Sequence, residues 1–388
     1  MASKIEIKNL TLVFGKKKER ALEMIDQGVP IKEIRETTGL AVGVNNISLE
    51  IEEGELFVIV GLSGSGKSSL IRCMNMLNKP TRGEILIDGE NICDYNKKQL
   101  IDIRRHKISM VFQHFGLLNH RSVLKNVEYG LEVQGISEAE REKKSLEAIE
   151  MVGLAGWEKY FPRQLSGGMK QRVGLARALA NDAEILLMDE PFSALDPLIR
   201  KEMQTDLLGM TDYIDKTIIF ITHDMNEAFK LGDRAALMRD GEIVQIGKPR
   251  DFFDHPADDY VRNFIEDVDK SRILRVKTVM RKPVCLAKPI DNREDVIKHL
   301  EEKEREFCYV TDDNNKLLGY VELEKLKESK DTTVEQLIDT EYQDINRNSF
   351  LSEIWSKLDE SDYDVAVTDK SNRIRGVISY EDVVGALS

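Results

Sequence analysis

Eight consecutive residues, Gly61-Leu62-Ser63-Gly64-Ser65-Gly66-Lys67-Ser68, meet every fixed position of G-x-x-x-x-G-K-[ST], a pattern whose chemistry is the wrapping of phosphates. Its glycines let the backbone curl, so that successive N–H groups and the positive end of a following helix dipole converge on one anion. Lys67 is expected to reach the β- and γ-phosphates and Ser68 to ligate Mg²⁺, with Ser63, Ser65 and Ser69 in the same contacting stretch. An ordinary glycine turn would demand neither the lysine nor the serine. Further on, Glu184-Ile185-Leu186-Leu187-Met188-Asp189-Glu190 ends in adjacent carboxylates. Asp189 is placed to hold a Mg²⁺ shell, and Glu190 to accept a proton from an attacking water. Gln113 closes Ser109-Met110-Val111-Phe112 and can touch Mg²⁺ or water through its amide; His223 closes Thr217 to Thr222 in the same way. Ser166-Gly167-Gly168 opens another helix as N-cap and glycine pair, which reads as a second anion site.

The elements that must position these residues are short apolar strands, each with its chemistry at the carboxyl end, where α/β proteins put their ligands. Leu56 to Val60 is the strand before the phosphate loop, and Ser68 to Met74 can open the helix after it. Residues 4 to 14 alternate as a strand closed by Phe14, whose ring either stacks on an adenine or is buried as a strand end. Within 16–40, Leu22, Ile25, Val29, Ile31 and Ile34 recur at helical spacing around Gly28 and Pro30, an inserted helical hairpin; about 93–162 reads as a helical subdomain. The sheet resumes as two runs, Ala41 to Val44 and Ile47 to Glu52.

At 388 residues the chain is long enough for two or three domains. The excess of 69 Asp+Glu over 56 Lys+Arg argues against a nucleic-acid partner, which needs concentrated positive charge. Four dispersed cysteines, Cys73, Cys93, Cys285 and Cys308, form no metal or disulfide pattern and fit a reducing compartment. The N-terminus lacks the apolar core of a signal peptide, and no stretch nears the ~20 apolar residues of a membrane span. Any work at a membrane is then expected through a docked partner.

In this order the motifs resemble the nucleotide-binding domain of ABC transporters over residues 1 to about 265. The resemblance implies an α/β fold of the P-loop NTPase class, with a mixed sheet, a RecA-like core and a helical subdomain. It makes Gly61 to Ser68 the Walker A motif, Gln113 the Q-loop, Leu165 to Gln171 the signature, and Ile185 to Asp189 Walker B. Glu190 becomes the catalytic carboxylate, Ser193-Ala194-Leu195-Asp196 the D-loop, His223 the switch histidine and Phe14 the adenine-stacking aromatic. It further implies ATP and Mg²⁺, and a second copy bound head to tail, so that Ser166 and Gly168 of one protomer face the γ-phosphate held by the other. A transmembrane permease would dock near Gln113 to Val127, placing the chain peripherally on the cytoplasmic face. Within the family the insertion and Phe192-Ser193-Ala194-Leu195-Asp196-Pro197-Leu198-Ile199-Arg200 resemble the ATPase subunits of importers for glycine betaine and proline betaine, served indirectly by a solute-binding protein. An importer of choline, carnitine or an amino acid, or a soluble ABC ATPase, is the alternative.

Beyond a linker at 266–277, Val310 to Gly319 recurs as Val367 to Gly376, 57 residues on, each copy a strand, a polar turn and a second strand. The repeat resembles a tandem pair of CBS domains, a smaller α+β module expected over 278–336 and 340–388. Ser379 and Asp382 match that family's ribose-binding S/T-x-x-D pair, where the first copy has Glu322 and Lys325. The resemblance implies an adenine nucleotide or cyclic dinucleotide as regulatory ligand; a packing module is the alternative.

Overall fold

In the computed structural model the described residues are 3–387, except 114, 194, 212–215, 330–331 and 362. The chain divides into two compact units, Met1–Asp267 and Val268–Ser388. In the first, β1 (Ser3–Phe14) leads to α1 (Glu19–Asp26) and α2 (Ile31–Thr38), whose Ala21 and Ile34 pack on Val13 as a small core of their own. β2 (Ala41–Glu52) returns antiparallel to β1. It is one strand rather than the two runs expected, because register shifts absorb Asn45-Asn46, and the Asn46 N–H donates to the Thr11 hydroxyl at 3.1 Å.

The chain continues through β3 (Leu56–Val60), α3 (Lys67–Met74), β4 (Arg82–Ile87), β5 (Glu90–Asn91), α4 (Lys97–His106) and β6 (Ile108–Val111). The helical stretch α5 (Val123–Val127), α6 (Tyr129–Gln134), α7 (Glu138–Met151) and α8 (Gly167–Ala180) follows. Then come β7 (Ile185–Asp189), α9 (Pro197–Thr211), β8 (Thr217–Thr222), α10 (Met225–Leu231), β9 (Arg234–Arg239), β10 (Glu242–Gly247), α11 (Pro249–Asp254) and α12 (Asp259–Ile265). One sheet has the order β2-β1-β4-β5 and is antiparallel; the other runs β10-β9-β3-β8-β7-β6 and is parallel from β9 to β6. Every residue of β3, β7 and β8 is buried, as a parallel sheet covered on both faces requires. Phe57, Ile59, Ile185, Leu187, Ile219 and Ile221 meet Leu70, Ile71, Cys73 and Met74 of α3 in one core with Ile5, Ile7, Ile85 and Ile87. Because β3, β8, β7 and β6 are parallel neighbours, with Val60 beside Thr222, Ile221 beside Asp189 and Met188 beside Val111, their carboxyl ends share one edge.

The second unit comprises α13 (Val276–Val279), β11 (Leu286–Ala287), α14 (Arg293–Glu302), β12 (Phe307–Thr311), β13 (Leu317–Glu322), α15 (Leu323–Glu328), β14 (Asp344–Asn346), α16 (Trp355–Asp359), β15 (Val365–Thr368), β16 (Ile374–Ile378) and α17 (Tyr380–Leu387). Its sheets, β11-β12-β13 and β14-β15-β16, have the same build: one parallel pair and one antiparallel pair. The polar turns match as well. Asp312 accepts from the N–H groups of Asn314 and Lys316, and Asp369 from those of Ser371 and Arg373. Between the turns the Leu317 N–H donates to Asn372 O, and that of Ile374 to Asn315 O, both at 2.9 Å.

The stretch expected as a linker, 266–277, is partly core. Ile273 and Val276 are buried, and Val276 packs with Ile345, Leu351, Val365, Val367 and Ile378 of the second copy. Val334, expected within the first copy at 278–336, instead stands before the second copy as Val276 stands before the first, and it is buried with Val296, Leu300, Cys308 and Val310 of the first. Each copy's leading segment thus closes the other copy's core, which is why an apolar residue is found where a solvated connector was expected. Ahead of α16 the chain makes a 3₁₀ turn, Leu351–Glu353, and the α-helix starts at Trp355.

Candidate active site

The phosphate loop leaves β3 at Gly61 and enters α3 at Lys67. Gly66 has φ +102°, and a Cβ on it would lie 2.3 Å from the Gly43 carbonyl oxygen of β2, so only glycine fits there. The β9–β10 turn supports the loop from below: the Gly241 N–H donates to Ser65 O at 2.9 Å, and the Asn45 N–H to Gly241 O at 2.8 Å. Lys67 is 4 % exposed and donates to the carbonyls of Gly61 and Leu62, at 2.8 and 3.0 Å. Burial lowers the Lys67 ammonium below the ordinary lysine value, against the pull of Glu190 and Asp189. The Ser65 hydroxyl is buried with no hydrogen-bond partner. An unpartnered hydroxyl and a desolvated ammonium facing one concave loop fit an anion with several acceptor oxygens.

At the end of β7, Asp189 accepts from the Ser68 hydroxyl at 2.7 Å and from Arg72 at 3.2 Å, being itself 1 % exposed. A serine hydroxyl beside a buried carboxylate is a hard oxygen set suited to Mg²⁺. Arg72 was missed in the sequence, although it lies one turn beyond Ser68 on the same face of α3 and so had a readable spacing. Glu190 sits at φ +46°, uncommon for a residue with a side chain and the sort of strain that gathers at functional sites. The Ser193 N–H and hydroxyl hold its carbonyl at 3.3 and 3.0 Å. Around its carboxylate stand Gln113 Nε2 at 3.2 Å, His223 Nδ1 at 3.7 Å and Lys67 Nζ at 3.8 Å. Four strand ends therefore bring Lys67, Ser68, Gln113, Asp189, Glu190 and His223 together. Gln113 stands two residues beyond β6, which stops at Val111 rather than running to the glutamine.

Other expected residues lie apart. Ser166 caps α8, accepting from the Met169 N–H at 3.3 Å, and Gly168 abuts Ile199 of α9. Among the described residues no hydrogen bond joins Ser166, Gly167 or Gly168 to the phosphate loop. Asp196 caps α9 by accepting from the Ile199 N–H at 3.1 Å, and Ala194 lies outside the described residues. Ser63 and Gly64 are exposed on the loop, and Ser69 is half-buried. Phe14 is 42 % exposed, so it is not a buried strand end, and its ring edge lies against Gly43 next to Ser69.

In the second unit Ser379 and Asp382 face each other across the first turn of α17. The Asp382 carboxylate accepts from the Ser379 N–H and hydroxyl at 2.8 and 2.9 Å and from Arg281 at 2.7 Å. Arg281 also binds Asp364 at 3.0 Å. Partial burial pushes the Asp382 carboxyl up, but Arg281 and Ser379 outweigh it and hold it below the usual carboxylate range. In the first copy Lys325 spans Glu322 at 3.0 Å and Asp339 at 3.4 Å.

Comparison with known proteins places these observations. Residues 44–193 match the family model described as "ABC transporter", and residues 276–332 the CBS domain model. The chain is similar to the glycine betaine transport ATP-binding protein OpuAA of Bacillus subtilis, 46 % identical over 99 % of this chain and 92 % of that protein. It is likewise 46 % identical to the glycine betaine/carnitine transport ATP-binding protein GbuA of Listeria monocytogenes, over 100 % of this chain and 98 % of that one. Among solved structures it is similar to the dimeric structure of MJ0796, a bacterial ABC transporter cassette, with a TM-score of 0.54 and 36 % identity over 63 % of this chain and 99 % of that one.

Proposed function

The chain belongs to the ATP-binding subunits of ABC transporters, ATPases here joined to a CBS module, and on that premise we propose that it drives uptake of a betaine-type quaternary ammonium solute. The observation that carries the chemistry is the gathering of Lys67, Gln113 and His223 on the Glu190 carboxylate beside the Ser68–Asp189 pair. Lys67 binds the β- and γ-phosphates, with the loop N–H groups and the Ser65 hydroxyl sharing their charge. Phe14 stacks on the adenine. Ser68, Asp189 and Gln113 would hold Mg²⁺, which neutralises charge on the phosphates when bound. Glu190 takes a proton from the attacking water, oriented by Gln113, while His223 stands beside it as the switch group.

Ser166, Gly167 and Gly168 open a helix that makes no bond to this loop, which favours their serving the triphosphate of a second copy, with Asp196 at the same interface. The pair docks on a transmembrane permease at the cytoplasmic face, and a separate solute-binding protein selects the cargo. Among the described residues no helix is long and apolar enough to cross a membrane. Support for the solute class comes from the full-length relatives, which match the C-terminal unit as well as the ATPase. That unit would act as the gate, with an adenine nucleotide or cyclic dinucleotide displacing Arg281 from Asp382. The test is uptake of labelled glycine betaine by vesicles holding this chain and its permease. ATP-dependent accumulation that E190Q abolishes is expected; ATP hydrolysis with no transport of any quaternary ammonium would overturn the assignment.

A further inference from the structure

Glu227 lies on α10, four residues after His223, and is 7 % exposed. One carboxylate oxygen accepts from the hydroxyl of Thr222, the residue that ends β8 and immediately precedes His223. The other accepts from the side-chain amide of Gln204 on α9 at 2.9 Å. Thr222 in turn accepts from the Asp224 N–H at 3.0 Å, shaping the turn that carries His223, and Gln204 accepts from Lys230 at 3.1 Å. Arg200, Asp224, His223 and Glu190 line a narrow recess with Glu227, so this carboxylate stands one layer behind the reacting groups.

A buried carboxylate is a poor device for stability. Among the described residues no ion-pair contact reaches Glu227, only the more distant pull of Arg200 in the same recess, and an apolar side chain of the same size would fill the space without the cost of desolvating a charge. Burial indeed pushes its carboxyl above the usual range, although the Thr222 and Gln204 bonds oppose that. What an apolar residue could not do is hold two donors on different elements at once. α9 is also the helix capped by Asp196, and its Ile199 abuts Gly168 of the signature loop.

We propose that Glu227 is a positioning residue for ATP hydrolysis: by binding Thr222 and Gln204 together it fixes the turn that presents His223 to Glu190 and ties that turn to α9. The inference rests on the ATPase reading. If it holds, a chain of contacts runs from the signature loop through Ile199, α9, Gln204, Glu227 and Thr222 to His223, so the glycines serving one triphosphate influence the histidine serving the other.

The test measures ATPase rate against ATP concentration for the full chain and for E227L, E227Q, T222V, T222S and the T222V/E227L double variant. E227L and T222V should each lower kcat on the order of tenfold with the half-saturating ATP concentration little changed, since neither residue touches the loop. The double variant should be no slower than the slower single one, because both break the same link. T222S, which keeps the hydroxyl, and E227Q, which keeps the shape and an acceptor, should retain most of the rate. A merely structural residue would instead lower the fraction of active protein for every substitution alike, with no rescue by the serine or the glutamine. Should E227L fail to fold, the T222V and T222S pair answers the same question. Wild-type kcat in T222V, or losses that multiply in the double variant, would overturn the proposal. A wild-type chain that does not hydrolyse ATP would overturn the ATPase reading instead.

Discussion

Replacing Glu190 by Gln is the sharpest perturbation the site offers, because the amide keeps the shape and removes only charge and basicity. The fold should not notice. A glutamine carbonyl can still accept the Gln113 bond of 3.2 Å, and the backbone at φ +46° is no harder for Gln than for Glu. Nucleotide capture should persist or strengthen. Lys67 lies 3.8 Å from the carboxylate, an attraction of about 4 kcal/mol at an effective dielectric of 20 before screening, which the substitution releases for use by phosphate. The chemical step should suffer, since loss of a positioned general base costs about 10²- to 10⁴-fold, or roughly 3 to 5 kcal/mol of barrier. Phosphate release at saturating ATP measures the chemical step, and equilibrium binding of a fluorescent ATP analogue measures nucleotide capture. If E190Q binds nucleotide and turns over within about tenfold of wild type, less than half of that barrier on a logarithmic scale, Glu190 is not the base.

G66A should cost roughly 1–3 kcal/mol through its left-handed backbone alone, and the contact with Gly43 O adds to that; a lower thermal midpoint and lost nucleotide binding are expected. Mixing K67A with G168D should restore ATPase activity that neither has alone, since the mixed pair keeps one site with both walls intact; no recovery would refute the head-to-tail arrangement. V276A should destabilise the second copy of the repeat by about 2 kcal/mol, as two buried methyl groups are lost, with Trp355 fluorescence in a W157F background as the readout. The same probe follows Asp382. Its carboxyl is held below the ordinary 3.8, so the stability it contributes is present above that value and lost as pH falls through the lower folded value; D382N should flatten the acid limb there.

How far the sequence could be read depended on whether the partners of a residue were close in the chain. The loop at Gly61 to Ser68 was legible because its function sets both residue types and spacing, and the strands before Gly61, Glu190 and His223 were legible because burial on both faces makes them apolar throughout. The turn repeated at Asp312 and Asp369 was legible as a local hydrogen-bonding pattern. Gln113 was placed two residues wrongly within its element, since the end of β6 is set by pairing with β7 and not by any breaker in Phe112-Gln113. Val276 was taken for connector because its neighbours in space begin near Ile345, and nothing local announces an exchange of leading segments. Glu227 drew no reading from the sequence, because its second partner, Gln204, lies 23 residues earlier.

The same physical device recurs in both units, and it explains why neither reads as self-sufficient. In the C-terminal unit, Val276 and Val334 each complete a core whose other members belong to the opposite copy, so a single copy would leave an apolar face open. In the N-terminal unit, the loop that gathers Lys67, Asp189, Glu190, Gln113 and His223 has a wall on one side only, while the other donor-rich helix start, Ser166 to Gly168, stands unconnected to it. A triphosphate bound on one side remains partly hydrated, and hydration screens the charges that must stabilise the transition state. Closing a second copy over it would exclude that water and bring the helix N-terminus to the γ-phosphate. On the head-to-tail reading, hydrolysis cuts the bond to the γ-phosphate and departure of the freed phosphate would remove charge that held the two surfaces together, so release would be built into the same contact that makes the reaction fast. That is what a subunit coupling ATP turnover to a cycle of closing and opening requires.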